Sequence, residues 1–177
     1  MRFFAGVFIL GAGLALAGCR DAAAPSAQAE SAQAPTEILK DFVMNDVRNG
    51  VKNMTLQSME GRIYEVRHVA DVDKPFLTFY KEGKESSRLV APVGRLQTET
   101  HEVECWGGVT VISADSSTLT TERLRYDPKV RKIFSNDPVH LDKPDSVTDG
   151  IGLETDPELK TVKIGRQKVR LKKGTKH

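Results

Sequence analysis

The side chains best suited to chemistry are few in this sequence, and they are scattered. Four histidines stand at His68, His101, His140 and His177. None has a cysteine, an aspartate or a second histidine at a spacing that metal sites use, so no metal centre is predicted. His101 and Cys105 flank Glu102-Val103-Glu104 in a stretch that alternates like a strand. The two would share a face, but about 13 Å of strand keeps them apart. Cys105 is read as a small apolar core residue, Glu102 and Glu104 as exposed, and Trp106 as covering a turn at Gly107-Gly108. No glycine-rich loop precedes a helix to cradle phosphate, and no Gly-x-Ser-x-Gly elbow presents a nucleophile. These residues predict neither an enzyme nor a bound cofactor.

At 177 residues the chain suggests one domain. Its net charge of +2 gives no general attraction to nucleic acid. An aromatic content of 6% argues against surfaces that stack bases or sugars on exposed rings. The basic residues are nevertheless uneven. Lys160, Lys163, Arg166, Lys168, Arg170, Lys172, Lys173 and Lys176 crowd the end of the chain with no acid among them.

The beginning of the chain reads as a targeting segment. Met1-Arg2 is a short positive start, and Phe3 to Leu16 is almost wholly apolar. That run is shorter than the roughly 20 residues a membrane-spanning helix needs. It closes on Leu16-Ala17-Gly18-Cys19, which resembles the bacterial lipoprotein signal. The resemblance implies cleavage before Cys19 and acylation of that residue. Such chains hold a protein on a bilayer at about 0.8 kcal/mol per buried CH₂. An ordinary secretory signal is the other reading, and both lead out of the cytoplasm. Arg20 follows the cysteine, with Asp21 one place later, so sorting rules alone leave the choice of membrane open. The predicted division is residues 1–18 as signal peptide, 19–36 as acylated cysteine and flexible tether, 37–173 as a β domain and 174–177 as a tail. The tether is Ala, Ser, Gln and Pro without a large apolar side chain, so it has nothing with which to build a core.

The body of the chain is a repeat. Ser58, Ala91, Thr121 and Gly150 recur at intervals of 33, 30 and 29 residues. Two places before them stand Leu56, Leu89, Leu119 and Thr148, and three places after stand Gly61, Gly94, Leu124 and Leu153. Twelve and fourteen places after come Ala70 and Val72, Val103 and Cys105, Ile133 and Ser135, Val162 and Ile164. Pro75, Gly108 and Pro138 then mark turns before the pairs Phe76 and Thr78, Val109 and Val111, Val139 and Leu141. In the last copy Val169 and Leu171 take that place one residue late, with Gly165 as a bulge. Alternation with period two makes each unit β, and a period near 30 signals stacked units. The inward phase flips at each small residue, from an even to an odd offset. A bend there restores the face, and a large side chain would clash where backbones come close. Three strands per unit, in four units, predict about twelve short antiparallel strands. The stretch Thr36 to Val51 is read as an entering strand that caps the stack.

The ordered series of these positions carries a family resemblance. It runs from Met54-x-Leu56-x-Ser58 through Phe76-x-x-Phe79 and Leu89-x-Ala91-x-x-Gly94 to Gly107-Gly108-Val109-x-Val111. It continues with Leu119-x-Thr121-x-x-Leu124-x-Tyr126-Asp127, Pro138-Val139 and Gly150-x-Gly152-Leu153-x-x-Asp156. Across most of residues 38–171 this resembles LptC, the periplasmic component of lipopolysaccharide export, related to the LptA/OstA bridge domain. The resemblance implies an all-β, antiparallel two-sheet twisted jelly roll, a boat with an open apolar groove. It also implies an activity: taking lipopolysaccharide from the inner-membrane Lpt ABC transporter and passing it to a periplasmic LptA-like bridge protein. Well-known members hold the membrane by an N-terminal transmembrane helix. Here a lipoprotein signal stands in its place, which puts the intramembrane contact with the transporter in doubt. The predicted location is the periplasm, lipid-anchored to the inner membrane.

Beside that resemblance, the residues alone predict an apolar interior. Leu56, Phe76, Leu89, Val109, Val111 and Leu119 are candidates to line it, with Leu124, Ile133, Val139, Leu141 and Leu153. Period two separates inside from outside and leaves groove and core undivided. A stack of this kind has two free edges. The outgoing one is placed at Thr161 to Lys173, with Val162, Ile164, Val169 and Leu171 as partner-facing candidates. A structural lipoprotein that joins envelope proteins by its strand edges, without binding lipid, is the alternative function.

Overall fold

The computed structural model describes residues 34–172. Cys19, the predicted signal peptide and the predicted tether up to residue 33 lie outside the described residues, as do Lys173 and the predicted tail. Twelve strands follow one another: β1 (Glu37–Arg48), β2 (Val51–Tyr64), β3 (Val69–Asp73), β4 (Phe76–Lys81), β5 (Lys84–Val90) and β6 (Val93–Gln97). Then come β7 (Val103–Ser113), β8 (Thr118–Asp127), β9 (Lys132–Asp142), β10 (Ser146–Thr155), β11 (Val162–Ile164) and β12 (Lys168–Leu171). A 3₁₀ turn, Glu65–Arg67, joins β2 to β3. Every pairing is antiparallel, so the predicted class holds, and the entering strand predicted before Val51 is β1.

The long strands turn corners. β2 pairs with β4 over Met54–Gln57 and with β3 over Glu60–Tyr64. β7 pairs with β6 over Val103–Trp106 and with β5 over Thr110–Ser113. β10 pairs with β12 over Ser146–Asp149 and with β11 over Leu153–Thr155. One hydrogen-bonded network is thereby folded into two facing layers. The first layer holds β4, β5 and β12 with the adjoining halves of β2, β7, β8, β9 and β10. The second holds β3, β6 and β11 with the other halves.

The corners fall at the small residues of the repeat. Sterics account for part of this, and hydrogen bonding for the rest. A corner interrupts the ladder and leaves carbonyls to satisfy. The Ser58 hydroxyl lies 2.7 Å from the carbonyls of both Glu60 and Asp73. Thr121 Oγ1 donates to Pro138 O at 3.0 Å and lies 3.1 Å from Ser135 Oγ, inside the corner of β9. Where the chain has Ala91 instead, backbone groups do this work: Lys74 N donates to Pro92 O at 2.8 Å and Ala91 N to Pro75 O at 3.3 Å. At Gly107 and Gly108 the corner of β7 has φ of +85° and +95°, a conformation that favours glycine.

Strands do not divide evenly among the units. The four units hold three, three, two and three strands, and β1 is additional. In the first two the chain breaks at prolines, Pro75 between β3 and β4 and Pro92 between β5 and β6, whereas Pro138 is held within β9 opposite Ile151. β8 and β9 run unbroken through their corners. The phase of β4 also differs from expectation. Leu56 lies opposite Leu77, and Met54 opposite Phe79. Leu77 and Phe79 therefore point inward, and Phe76 points outward beside Gln57. The corner at Lys74-Pro75, with Lys74 at φ +51°, delays the inward position by one residue relative to Val109 and Val139.

Candidate functional site

The space between the layers is apolar and filled by the chain's own side chains. Leu56, Leu89, Val109, Val111, Leu119, Val139 and Leu141 enter it from the first layer, and Leu124, Ile133 and Leu153 from the second. Each is at most 6% exposed. A fully buried leucine or valine contributes about 1.5–3 kcal/mol on leaving water, so this interior is also the core that holds the layers together. Phe76 is the exception among the expected lining residues. It sits half-buried on the outer face, in a shallow hollow with Val43, Gln57 and Met59.

Several interior residues escaped the repeat pattern. Met54, Leu77, Phe79 and Leu159 are all essentially inaccessible, as is Tyr126, which the repeat does place, five residues after Thr121. Phe79 and Tyr126 meet across the layers edge to face, with ring centroids 4.8 Å apart. The Tyr126 hydroxyl is buried without a hydrogen-bond partner, and burial pushes its pKa up to about 12. Cys105 is a free thiol in the second layer, also pushed up to about 12 by burial. This agrees with its reading as a small apolar residue.

At the strand tips, opposite the corners, the layers meet through polar groups. Asp46 follows Phe42 and Met44 on the inward face of β1 and is buried. Its carboxylate contacts His101 Nδ1 at 2.9 Å, Arg48 Nε at 3.3 Å and Asn53 Nδ2 at 3.5 Å. Arg131, in the turn between β8 and β9, donates to Asn53 Oδ1 at 3.0 Å and to both Tyr80 O and Glu158 Oε1 at 3.1 Å. Glu158 is buried and also faces Lys81 Nζ at 3.7 Å. None of these contacts was predicted. A signal existed for Asp46 alone, an acid in phase with inward apolar residues.

The two ends of the stack differ. The outer face of β1 exposes Ile38, Val43 and Val47. At the other end Val162 and Ile164 are part-buried against the core, whereas Val169 and Leu171 in β12 are exposed. The basic residues there are partly neutralised: Lys163 pairs with Glu154 at 3.2 Å, Arg170 with Asp149 at 2.8 Å, and Lys172 with Asp142. Among the described residues no group of His, Cys, Asp and Glu is placed to hold a metal ion, and no helix is long and apolar enough to cross a membrane.

The corner-built double layer has relatives. Among solved structures it is similar to LptH from Pseudomonas aeruginosa, the LptA-homologous periplasmic component of the conserved lipopolysaccharide transport device. The TM-score is 0.52 at 13% identity, over 64% of this chain and 82% of that one. At that identity the likeness establishes the fold. No curated protein sequence matches the chain. Residues 5–170 match the LptC-related family of lipopolysaccharide assembly. The chain belongs to that family. In this LptC-related chain the apolar interior between the layers, its polar mouth and the free strand edges are the features available for function.

Proposed function

We propose that this protein is a periplasmic carrier of lipopolysaccharide, held on the inner membrane by an acylated Cys19. It takes the lipid from an inner-membrane ABC transporter and passes it to an LptA-like bridge protein. The acyl chains lie between the layers, and the sugars and phosphates stay outside. The observation that carries this reading is the continuous apolar interior running beneath all the ribs from β1 to β11. Each acyl CH₂ moved there from water gains about 0.8 kcal/mol. The exposed β1 and β12 ends offer strand edges on which a transporter domain and a bridge could extend the stack.

The dense packing of the interior favours a second reading, a linker that joins envelope proteins by its edges and takes up no lipid. One experiment separates the two. A p-azidophenylalanine at Phe79 reports from the interior, and one at Phe76 from the outer face. Carriage predicts that illumination attaches lipopolysaccharide at Phe79 and not at Phe76. A folded protein silent toward lipid at Phe79 would overturn carriage in favour of the linker. The anchor is checked apart from this: Cys19→Ala is expected to move the protein from the membrane fraction to the soluble fraction and to end fatty-acid incorporation.

A further inference from the structure

We infer that the polar contacts at the strand tips form a strap that closes the interior, with Arg131 as its centre, and that releasing the strap is the step that admits an acyl chain. The inference rests on the carriage reading for its ligand, but not for the motion itself.

Three observations support it. The contacts form one connected chain across the mouth. Arg131, Glu158, His101 and Thr100 belong to tips of the second layer, and Asp46, Arg48, Asn53, Tyr80 and Lys81 to the first. Arg131 binds Asn53, the Tyr80 carbonyl and Glu158. Asn53 leads on to Asp46, which binds His101, and Arg48 reaches Thr100 O at 3.5 Å. Secondly, the strap has an apolar stopper beside it. Leu159 follows Glu158, is buried in the core cluster and has φ of +55°, a strained conformation for leucine. Its turn is held by Asp156, whose carboxylate accepts from Lys160 N and Thr161 N at 2.9 Å each. Thirdly, the Tyr126 hydroxyl is buried without a partner. Burial is the main cause of its raised pKa, and the charges of Arg131, Asp46, Arg48 and Glu158 also act on it.

The chemistry suits a closure that opens. Burying Asp46 and Glu158 is costly, and apolar residues of similar volume would seal the mouth at least as firmly. Polar partners, in contrast, exchange for water with little net change in free energy. The layers are covalently joined only along the corners, so separation at the tips needs rotation there and leaves the in-layer ladders intact.

Cys105 supplies a test without lipid. It is buried beneath the closed layers, and its raised pKa leaves little thiolate until the site is wetted. The test uses the full chain carrying Cys19→Ser, so that Cys105 is the sole thiol, and follows its reaction with a disulfide reagent under native conditions. Arg131→Met, which keeps the stem and removes the guanidinium, is expected to speed labelling about tenfold. Asn53→Ala is a milder second variant, expected to act in the same direction. Arg62→Met removes a guanidinium paired with Asp73 and Glu60 within the second layer and should leave the rate unchanged. An unchanged rate in both strap variants overturns the strap. So does acceleration no larger than the loss of global stability measured on the same protein, or an equal effect of Arg62→Met. If labelling accelerates while Phe79 stays silent toward lipopolysaccharide, the strap stands and carriage falls.

Discussion

Tyr126→Ala is expected to destabilise the protein by about 3–5 kcal/mol, enough to move its urea midpoint drastically or prevent folding. The ring is completely buried and packs edge to face on Phe79 of the opposite layer. Removing it takes away apolar burial, leaves a cavity between the layers and ends their aromatic contact. Edge-to-face pairs add about 0.5–1.5 kcal/mol to area burial. Tyr126→Phe is the informative companion. It keeps the ring and deletes a hydroxyl that has no partner. It should therefore leave stability unchanged or raise it by about 1 kcal/mol. Equal losses for Ala and Phe would mean that the hydroxyl, and not the ring, joins the layers.

Gly150→Val should detach the last rib. A Cβ at this position would stand 2.3 Å from Ile164 Cγ2, 3.0 Å from Gly165 O and 3.3 Å from Gln167 Cα. The first contact is a branched methyl close to its own backbone, and the other two are backbone atoms. The corner between β11 and β12 therefore has to move. Two hydrogen bonds hold that corner to β10, Ile151 N to Gly165 O at 3.0 Å and Gly165 N to Gly152 O at 3.1 Å. Overpacking of this kind costs on the order of 1–3 kcal/mol, and here a short edge rib absorbs it. Hydrogen exchange should rise at the amides of β11 and β12 and stay unchanged in β4, β5 and β7. Protection retained in β11 would show that the corner accommodates a side chain. Because this rib is the proposed outgoing edge, the same variant is expected to weaken handover to a bridge protein more than uptake of lipid.

Much of the fold was legible in the residues. Small side chains at Ser58, Ala91, Thr121 and Gly150, and the switch of phase around them, located the corners. A corner needs close backbones whatever surrounds it, so local residue types carry the information. The inward alternation of Leu56, Leu89, Val109, Val111, Leu119, Leu124, Ile133, Val139, Leu141 and Leu153 survived for a related reason. Once the corner is set, period two dictates the face. It failed at Phe76 because a single extra residue at Lys74-Pro75 reverses every later side chain of that strand, and nothing in the local sequence counts it.

Residue types and spacing thus carried the β architecture, the corners and most of the inward side chains, since these depend on periodicity and steric size over a few residues. The filled interior and the polar contacts across its mouth came from the packing of the two layers. Those depend on pairs such as Asp46 with His101 and Asn53 with Arg131, which lie 55 and 78 residues apart. Along the chain such residues look like ordinary polar strand ends, apart from the inward phase of Asp46. Two layers brought face to face are what turn them into partners.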